Sequence, residues 1–222
     1  MPRLDYTDIT IILDRSGSME SVAADTIGGF NRFLDDQKTG HGSATITLVQ
    51  FDDRYETVYS VAPIATAPPL TGDTFVPRGS TALLDAIGRT IDTTGARLAA
   101  MREEDRPEQV MMVILTDGEE NASRHFDNDA IARMISHQRD VYNWEFVFLG
   151  ANQDAIATAS QMGVAAGSAL SYAPSPVGTN AAFDSVSRRV RDKRLRKAAM
   201  TEEFFEEHDR ATQNEEIRKS KK

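Results

Sequence analysis

Hydrophobic positions along this chain follow two rhythms, short runs that are almost wholly apolar and longer stretches where they recur every three or four residues. The first run, DITIIL at 8–13, is β-branched and bounded by charge, which predicts a buried strand. Val22, Ile27, Phe30, Phe33 and Leu34 then mark one face of a helix that fades near KTGHG. SATITLVQFDDRYETVYSV predicts two strands, 44–51 and 55–61, and the tight turn at Asp52-Asp53 makes them an antiparallel hairpin at one sheet edge. A loop rich in proline and threonine (62–79) leads to a helix over about 82–101, with Leu83, Leu84, Ile87, Ile91 and Leu98 on its face. VMMVILT at 110–116 is nearly continuous apolar sequence, the mark of a central strand covered on both faces. A helix over 128–142, a strand at 144–150, a short helix at 154–162, a sixth strand at 169–172 and a last helix from near Asn180 continue the alternation.

Strands alternating with helices imply a doubly wound α/β domain, because each parallel crossover is right-handed and lies across a face of the sheet. The expected sheet is six-stranded and mostly parallel, with one antiparallel edge strand. In the commonest arrangement the first and fourth strands are neighbours, and ligands bind in the crevice beyond their carboxyl ends. Those two strands end at Asp14 and Asp117.

Composition narrows the chemistry. The 222 residues, 40% apolar and 27% charged, suit one globular domain, expected over 1–197. A charged extension, helical or disordered, is expected over 198–222. No run approaches the roughly 20 apolar residues of a membrane helix, and MPRLDYTDIT has no secretory core, so the expected setting is cytoplasmic, with no membrane partner. Cysteine is absent and the four histidines lie far apart, which leaves oxygen as the ligand for any metal. A net charge of -9 argues against a nucleic-acid partner.

The strand ends carry that oxygen. DRSGS offers the Asp14 carboxylate and the Ser16 and Ser18 hydroxyls in one loop, with Gly17 allowing the backbone to bend between them. RGSTALLDAI places Thr81 before a helix, and ILTDGEEN places Asp117 and Gly118 after the central strand. Taken singly, each piece also reads as a helix cap or a turn. In combination the residues resemble the metal-ion-dependent adhesion site (MIDAS), D-x-S-x-S, T, D, of von Willebrand factor type A domains. The order of elements from Asp8 to Arg196 resembles that family too, in particular its short stand-alone intracellular members in prokaryotes and phages.

The resemblance implies a magnesium or manganese ion bound by the hydroxyls of Ser16 and Ser18, with Thr81 ligating in one state. Asp14 and Asp117 would then act through bound water or from behind the direct ligands. Hard cations of this kind prefer about six oxygens, and neutral hydroxyl ligands leave the ion electrophilic enough to take a glutamate or aspartate carboxylate from a partner protein. The expected function is therefore non-catalytic, metal-dependent protein binding. Two alternatives stand beside it: a magnesium-dependent phosphotransferase or hydrolase with Asp14 as nucleophile, and a structural subunit with a vestigial site. The usual aspartyl-phosphate pattern has a second acid where Ser16 stands, and no phosphate loop, nucleophile elbow or H-E-x-x-H helix is present.

Other features carry weaker expectations. Glu119 and Glu120 read as solvated loop residues, Asn152 and Asp154 as rim residues or a cap, and Arg78 as a loop cation near Thr81. RRVRDKRLRK at 188–197, seven basic residues and one acid, reads with the acidic TEEFFEEHD as a solvated, self-pairing helix. Phe204 and Phe205 are candidates for docking on the domain or on a partner, and the stretch beyond them for fraying.

Overall fold

A computed structural model describes residues 1–151, 154–195 and 203–220. The strands are β1 (Arg3–Asp14), β2 (Ser43–Phe51), β3 (Tyr55–Pro63), β4 (Pro107–Thr116), β5 (Glu145–Ala151) and β6 (Ala169–Tyr172). The helices are α1 (Ala23–Lys38), α2 (Leu83–Ala100), α3 (Asn128–Tyr142), α4 (Ala155–Gln161), α5 (Pro176–Arg194) and α6 (Glu207–Ser220). They build one six-stranded sheet in the order β3-β2-β1-β4-β5-β6, parallel except for edge strand β3.

Alternation along the central strands divides the core in two. Ile9, Ile11 and Leu13 of β1 and Met111, Val113 and Leu115 of β4 pack with Phe30, Phe33 and Leu34 of α1 and Phe183, Val186 and Val190 of α5. Ile12, Met112 and Ile114 face the other way, onto Leu83, Leu84, Ile87 and Ile91 of α2 and Ile131 and Ile135 of α3. A strand that is apolar on both sides can occupy only such a covered, central place. Each large aliphatic or aromatic side chain removed from water here contributes about 1.5–3 kcal/mol.

The first strand begins earlier than its apolar run predicts, because Arg3 and Thr7 still pair with Pro107 and Gln109 across a register shift. Helix α5 starts at Pro176, four residues ahead of the expected start, with Ser175 accepting the Gly178 N–H and proline in the first turn.

The chain's end packs on the domain, one of the two placements expected for Phe204 and Phe205. Phe204 and Phe205 are fully buried in the core on the α1/α5 face, and α6 lies on α5 and β6. Arg188 pairs with the buried Asp209 at 2.6 Å and Arg189 with Glu206 at 3.2 Å. Arg189, Lys193 and Arg194 are each at most 4% exposed, so the basic run is a clamp between elements instead of a solvated face. Arg196 and Lys197 of that run lie outside the described residues, as does Asn152. Arg210 donates to Ala169 O and Gln213 Oε1 accepts from Ala173 N, so side chains of α6 satisfy backbone groups at both ends of edge strand β6. Among the described residues no helix is long and apolar enough to cross a membrane.

Candidate metal centre

β1 and β4 are neighbours in the sheet, paired from Thr7↔Gln109 to Leu13↔Leu115, so their carboxyl ends open into the crevice where the connections diverge. Asp14 closes β1 and Asp117 directly follows β4. Asp14 is fully buried; its Oδ1 accepts the Ser16 N–H at 2.6 Å and its Oδ2 accepts the Thr116 hydroxyl at 2.5 Å. The first bond turns the loop back on itself, and the second ties it to the neighbouring strand.

The hydroxyls gather beside these acids. Ser18 Oγ donates to Asp117 Oδ1 at 2.5 Å, and Ser16 Oγ lies 3.1 Å from Ser18 Oγ. A Cβ built on Gly118 would sit 3.0 Å from Thr81 Oγ1, 3.3 Å from Ser18 Oγ and 3.7 Å from Ser16 Oγ. Three hydroxyl oxygens from two separate loops thus surround one point on a third loop, and only a residue without a side chain leaves that point open.

None of these hydroxyls is spent on a helix cap. Ser16 precedes the short 3-10 turn Gly17–Val22 and Thr81 precedes Ala82, the N-cap of α2, yet neither helix start has a side-chain cap bond. The free N–H groups of α2 are satisfied from across the crevice instead, Leu84 N by Glu120 Oε2 at 2.9 Å and Asp85 N by Ser123 Oγ at 3.0 Å. Glu120 also accepts from Ala122 N, Ser123 N and Ser123 Oγ, so it is a structural acceptor where the sequence predicts a solvated side chain. Glu119 is exposed. Asp85 in turn holds the N–H groups of Arg124, His125 and Phe126.

A buried carboxylate fixes the two hydroxyl loops to each other. Asp52, fully buried, accepts Arg15 Nε at 3.1 Å, Arg78 Nε at 2.8 Å and Arg54 N at 2.6 Å, while its own carbonyl accepts Ala82 N. Burial alone would raise its pKa; the Arg78 and Arg54 hydrogen bonds and both guanidinium charges outweigh it and hold the carboxyl below its usual range. Arg78 thus spends its Nε on Asp52 while its side chain stays about half exposed. Between the loops Gly17 N donates to Gly79 O at 3.1 Å, and Gly79 has φ +69°, with Asp53 Oδ1 2.4 Å from where a Cβ would stand. Thr81 is bracketed by Asn121, whose Oδ1 accepts Thr81 N and whose N–H donates to Thr81 O. Asp154 caps α4 by accepting Ala157 N at 3.1 Å.

The electrostatics are those of a buried pair of acids short of positive charge. Burial pushes the Asp14 carboxyl up to about 6, against the hydrogen bonds from Thr116 and Ser16, and the Asp117 charge adds to the rise. Burial raises Asp117 as well, against its bond from Ser18. Among the described residues neither acid has a side-chain cation partner, since Arg15, the arginine of the same loop, is turned to Asp52, Gln50 and Glu56. Two adjacent buried carboxylates without a counter-charge are costly to ionise. A set of hydroxyls and carboxylates around an open point fits a hard divalent ion. No cluster of three His, Asp or Glu side chains able to hold a metal exists among the described residues, so such an ion would rest on the hydroxyls.

The structural roles of Thr116, Asn121, Glu120 and Asp52 escaped sequence reading. Each works through a contact that joins distant loops, and the one local signal is the Thr116-Asp117-Gly118 run, where residues on opposite faces of a strand end meet the same crevice.

A mixed six-stranded sheet of this order, with helices on both faces, is the fold of von Willebrand factor type A domains. Proximal thread matrix protein 1 from the mussel byssus is similar at a TM-score of 0.55 and 18% identity, covering 83% of this chain and 46% of its own. The same protein has been solved with a zinc-occupied MIDAS motif, at a TM-score of 0.56 and 17% identity. The pilus adhesin SpaC from Lactobacillus rhamnosus GG is similar at 0.62 and 15% identity, covering 84% of this chain and 30% of its own. The corresponding domain of the type V pili tip protein Mfa5 from Porphyromonas gingivalis is similar at 0.57 and 8% identity, covering 83% of this chain and 94% of its own. The chain thus spans under half the length of the byssus protein and under a third of SpaC. No family model and no curated protein sequence matches it.

Proposed function

We propose that this chain is a non-catalytic interaction module that binds an acidic side chain of a partner protein through a magnesium or manganese ion. Ser16, Ser18 and Thr81 would hold the ion by their hydroxyls, with Asp14 and Asp117 acting through water and as the nearby negative charge. The observation that carries this reading is the convergence of three uncapped hydroxyls on the point above Gly118, beside two carboxylates without a cation. When bound, the ion supplies an electrophilic position for a carboxylate, because neutral ligands leave most of its charge uncancelled. The protein's part is to keep the hydroxyls aimed at that point and the rest of the loop hydrogen bonds satisfied. The zinc-occupied MIDAS motif of the byssus protein supports a divalent ion in this fold.

The phosphotransferase alternative needs Asp14 as an exposed nucleophile. Its carboxylate is fully buried and each oxygen already accepts a hydrogen bond, which argues against attack from it. A vestigial site is disfavoured because Glu120 and Ser123 do the capping and leave the three hydroxyls to one another and the crevice.

Calorimetric titration of the metal-stripped protein with manganese and magnesium tests the ion. About one ion per chain is expected, lost in Asp14→Ala and in the Ser16→Ala/Ser18→Ala pair. Adding a glutamate-containing peptide to the manganese-loaded protein tests the open position, since it should displace metal-bound water and lower water proton relaxation. No binding at millimolar metal overturns the reading.

A further inference from the structure

Tyr172 ends β6, and its phenol oxygen is buried without a hydrogen-bond partner in a side chain only 1% exposed. The register explains where it lies. Gly150 pairs with Thr116 across β4 and β5, and Ala151 pairs with Tyr172 across β5 and β6. Asp117, Ala151 and Tyr172 therefore form one row at the carboxyl end of the sheet, spanning about 10 Å, two strand spacings. Ala151 and Tyr172 belong to the core on the α1/α5 face, together with Leu13, Met19 and Leu115 from the strands and loop of the crevice. The residue between the tyrosine and the aspartate in that row is an alanine.

We propose that Tyr172 is a positioning residue of the metal centre, its phenol O–H donating through buried water toward the Asp117 carboxylate. This rests on the metal reading above. A buried phenol with no partner is costly, and a buried water is stable where it finds two to four polar groups. The Asp117 carboxylate has about four acceptor sites, so it retains room beside its bond from Ser18. Burial first, then the charges of Asp117 and Asp14, raises the phenol pKa well above its usual value, which keeps it a neutral donor. Such an outer donor fixes the orientation of a ligand set and raises affinity without touching the ion.

The test compares manganese titration of the wild type with Tyr172→Phe and with Tyr59→Phe, which removes another buried, unpartnered phenol oxygen, on strand β3. Tyr172→Phe should weaken manganese binding by roughly tenfold with its circular dichroism unchanged, and Tyr59→Phe should not weaken it. Metal addition should also produce a near-ultraviolet tyrosine difference band in the wild type and Tyr59→Phe that is missing in Tyr172→Phe. Equal affinities, or a band that persists without Tyr172, overturn the proposal while leaving the metal reading intact. A wild type that binds no manganese overturns both. A crystal structure of the manganese-loaded wild type with no water on the Tyr172 oxygen overturns it independently of any variant.

Discussion

Ser18 and Asp117 stand 99 residues apart in the chain, and the serine hydroxyl donates to the aspartate carboxylate at 2.5 Å. This one bond joins the loop after β1 to the loop after β4 and sets both beside Thr81. It also means that, among the described residues and without an ion, what Asp117 receives from this side is a neutral donor.

The open point above Gly118 makes a direct prediction. Gly118→Ala inserts a methyl 3.0 Å from Thr81 Oγ1 and 3.3 Å from Ser18 Oγ, closer than an ordinary van der Waals contact. The Gly118 backbone is not in the left-handed region, so alanine is tolerated conformationally. Manganese affinity should fall at least tenfold in calorimetry while the melting temperature of the metal-free protein moves by no more than a few degrees.

Asp14 makes stability depend on pH in a specific sense. Its folded pKa, about 6, lies above the unfolded value of 3.8, so the native state holds the extra proton between those values. The metal-free protein should therefore lose stability as pH rises toward 6, by about 3 kcal/mol in all. Divalent metal, which competes with that proton, should stabilise little near pH 5 and strongly at neutral pH. At a hundredfold excess over Kd the gain is about 2.7 kcal/mol, roughly 5–10 °C for a chain of this size. Thermal melts with magnesium and with chelator across this range check both slopes.

Asp52 is the anchor of the two hydroxyl loops. Asp52→Ala leaves Arg15, whose side chain is 6% exposed, with Gln50 and Glu56 among the described residues. Removing one partner of a buried pair costs about 3–5 kcal/mol. Both the denaturation midpoint and manganese affinity should drop, because the loops of Ser16 and Thr81 lose their shared acceptor.

The segment 203–220 should act as part of the domain. Phe205→Ala empties a fully buried site and should cost about 3–5 kcal/mol in chemical denaturation. Deleting 203–222 uncovers the β6 edge that Arg210 and Gln213 cover and strips Arg188 and Arg189 of Asp209 and Glu206. Size-exclusion chromatography should then show self-association.

Much of this molecule is legible in local pattern. Helix α3 and strand β6 fall on the residues their patterns mark, and the other elements up to α5 differ from expectation by a few residues at their ends, whereas α6 occupies a stretch expected to fray. The sheet's polarity followed from strand–helix alternation, and the D-x-S-x-S, T, D residues stand at the tips predicted for them. These features are local because each apolar face must match the period of its own element, and because loop chemistry concentrates where strands stop.

What tertiary structure alone decided is which polar group answers which. Glu120 rather than Thr81 serves the start of α2, Asp52 holds Arg78, and the basic end of α5 meets Asp209 and Glu206 and is buried. Tyr172, an ordinary strand residue in the sequence, comes to share a row with Asp117 through the register of two intervening strand pairs. A hydrogen bond or ion pair has no sequence period. Its partner is chosen by burial, which makes an unmet polar group expensive, and by the folded path of the chain, which decides who is near enough to meet it.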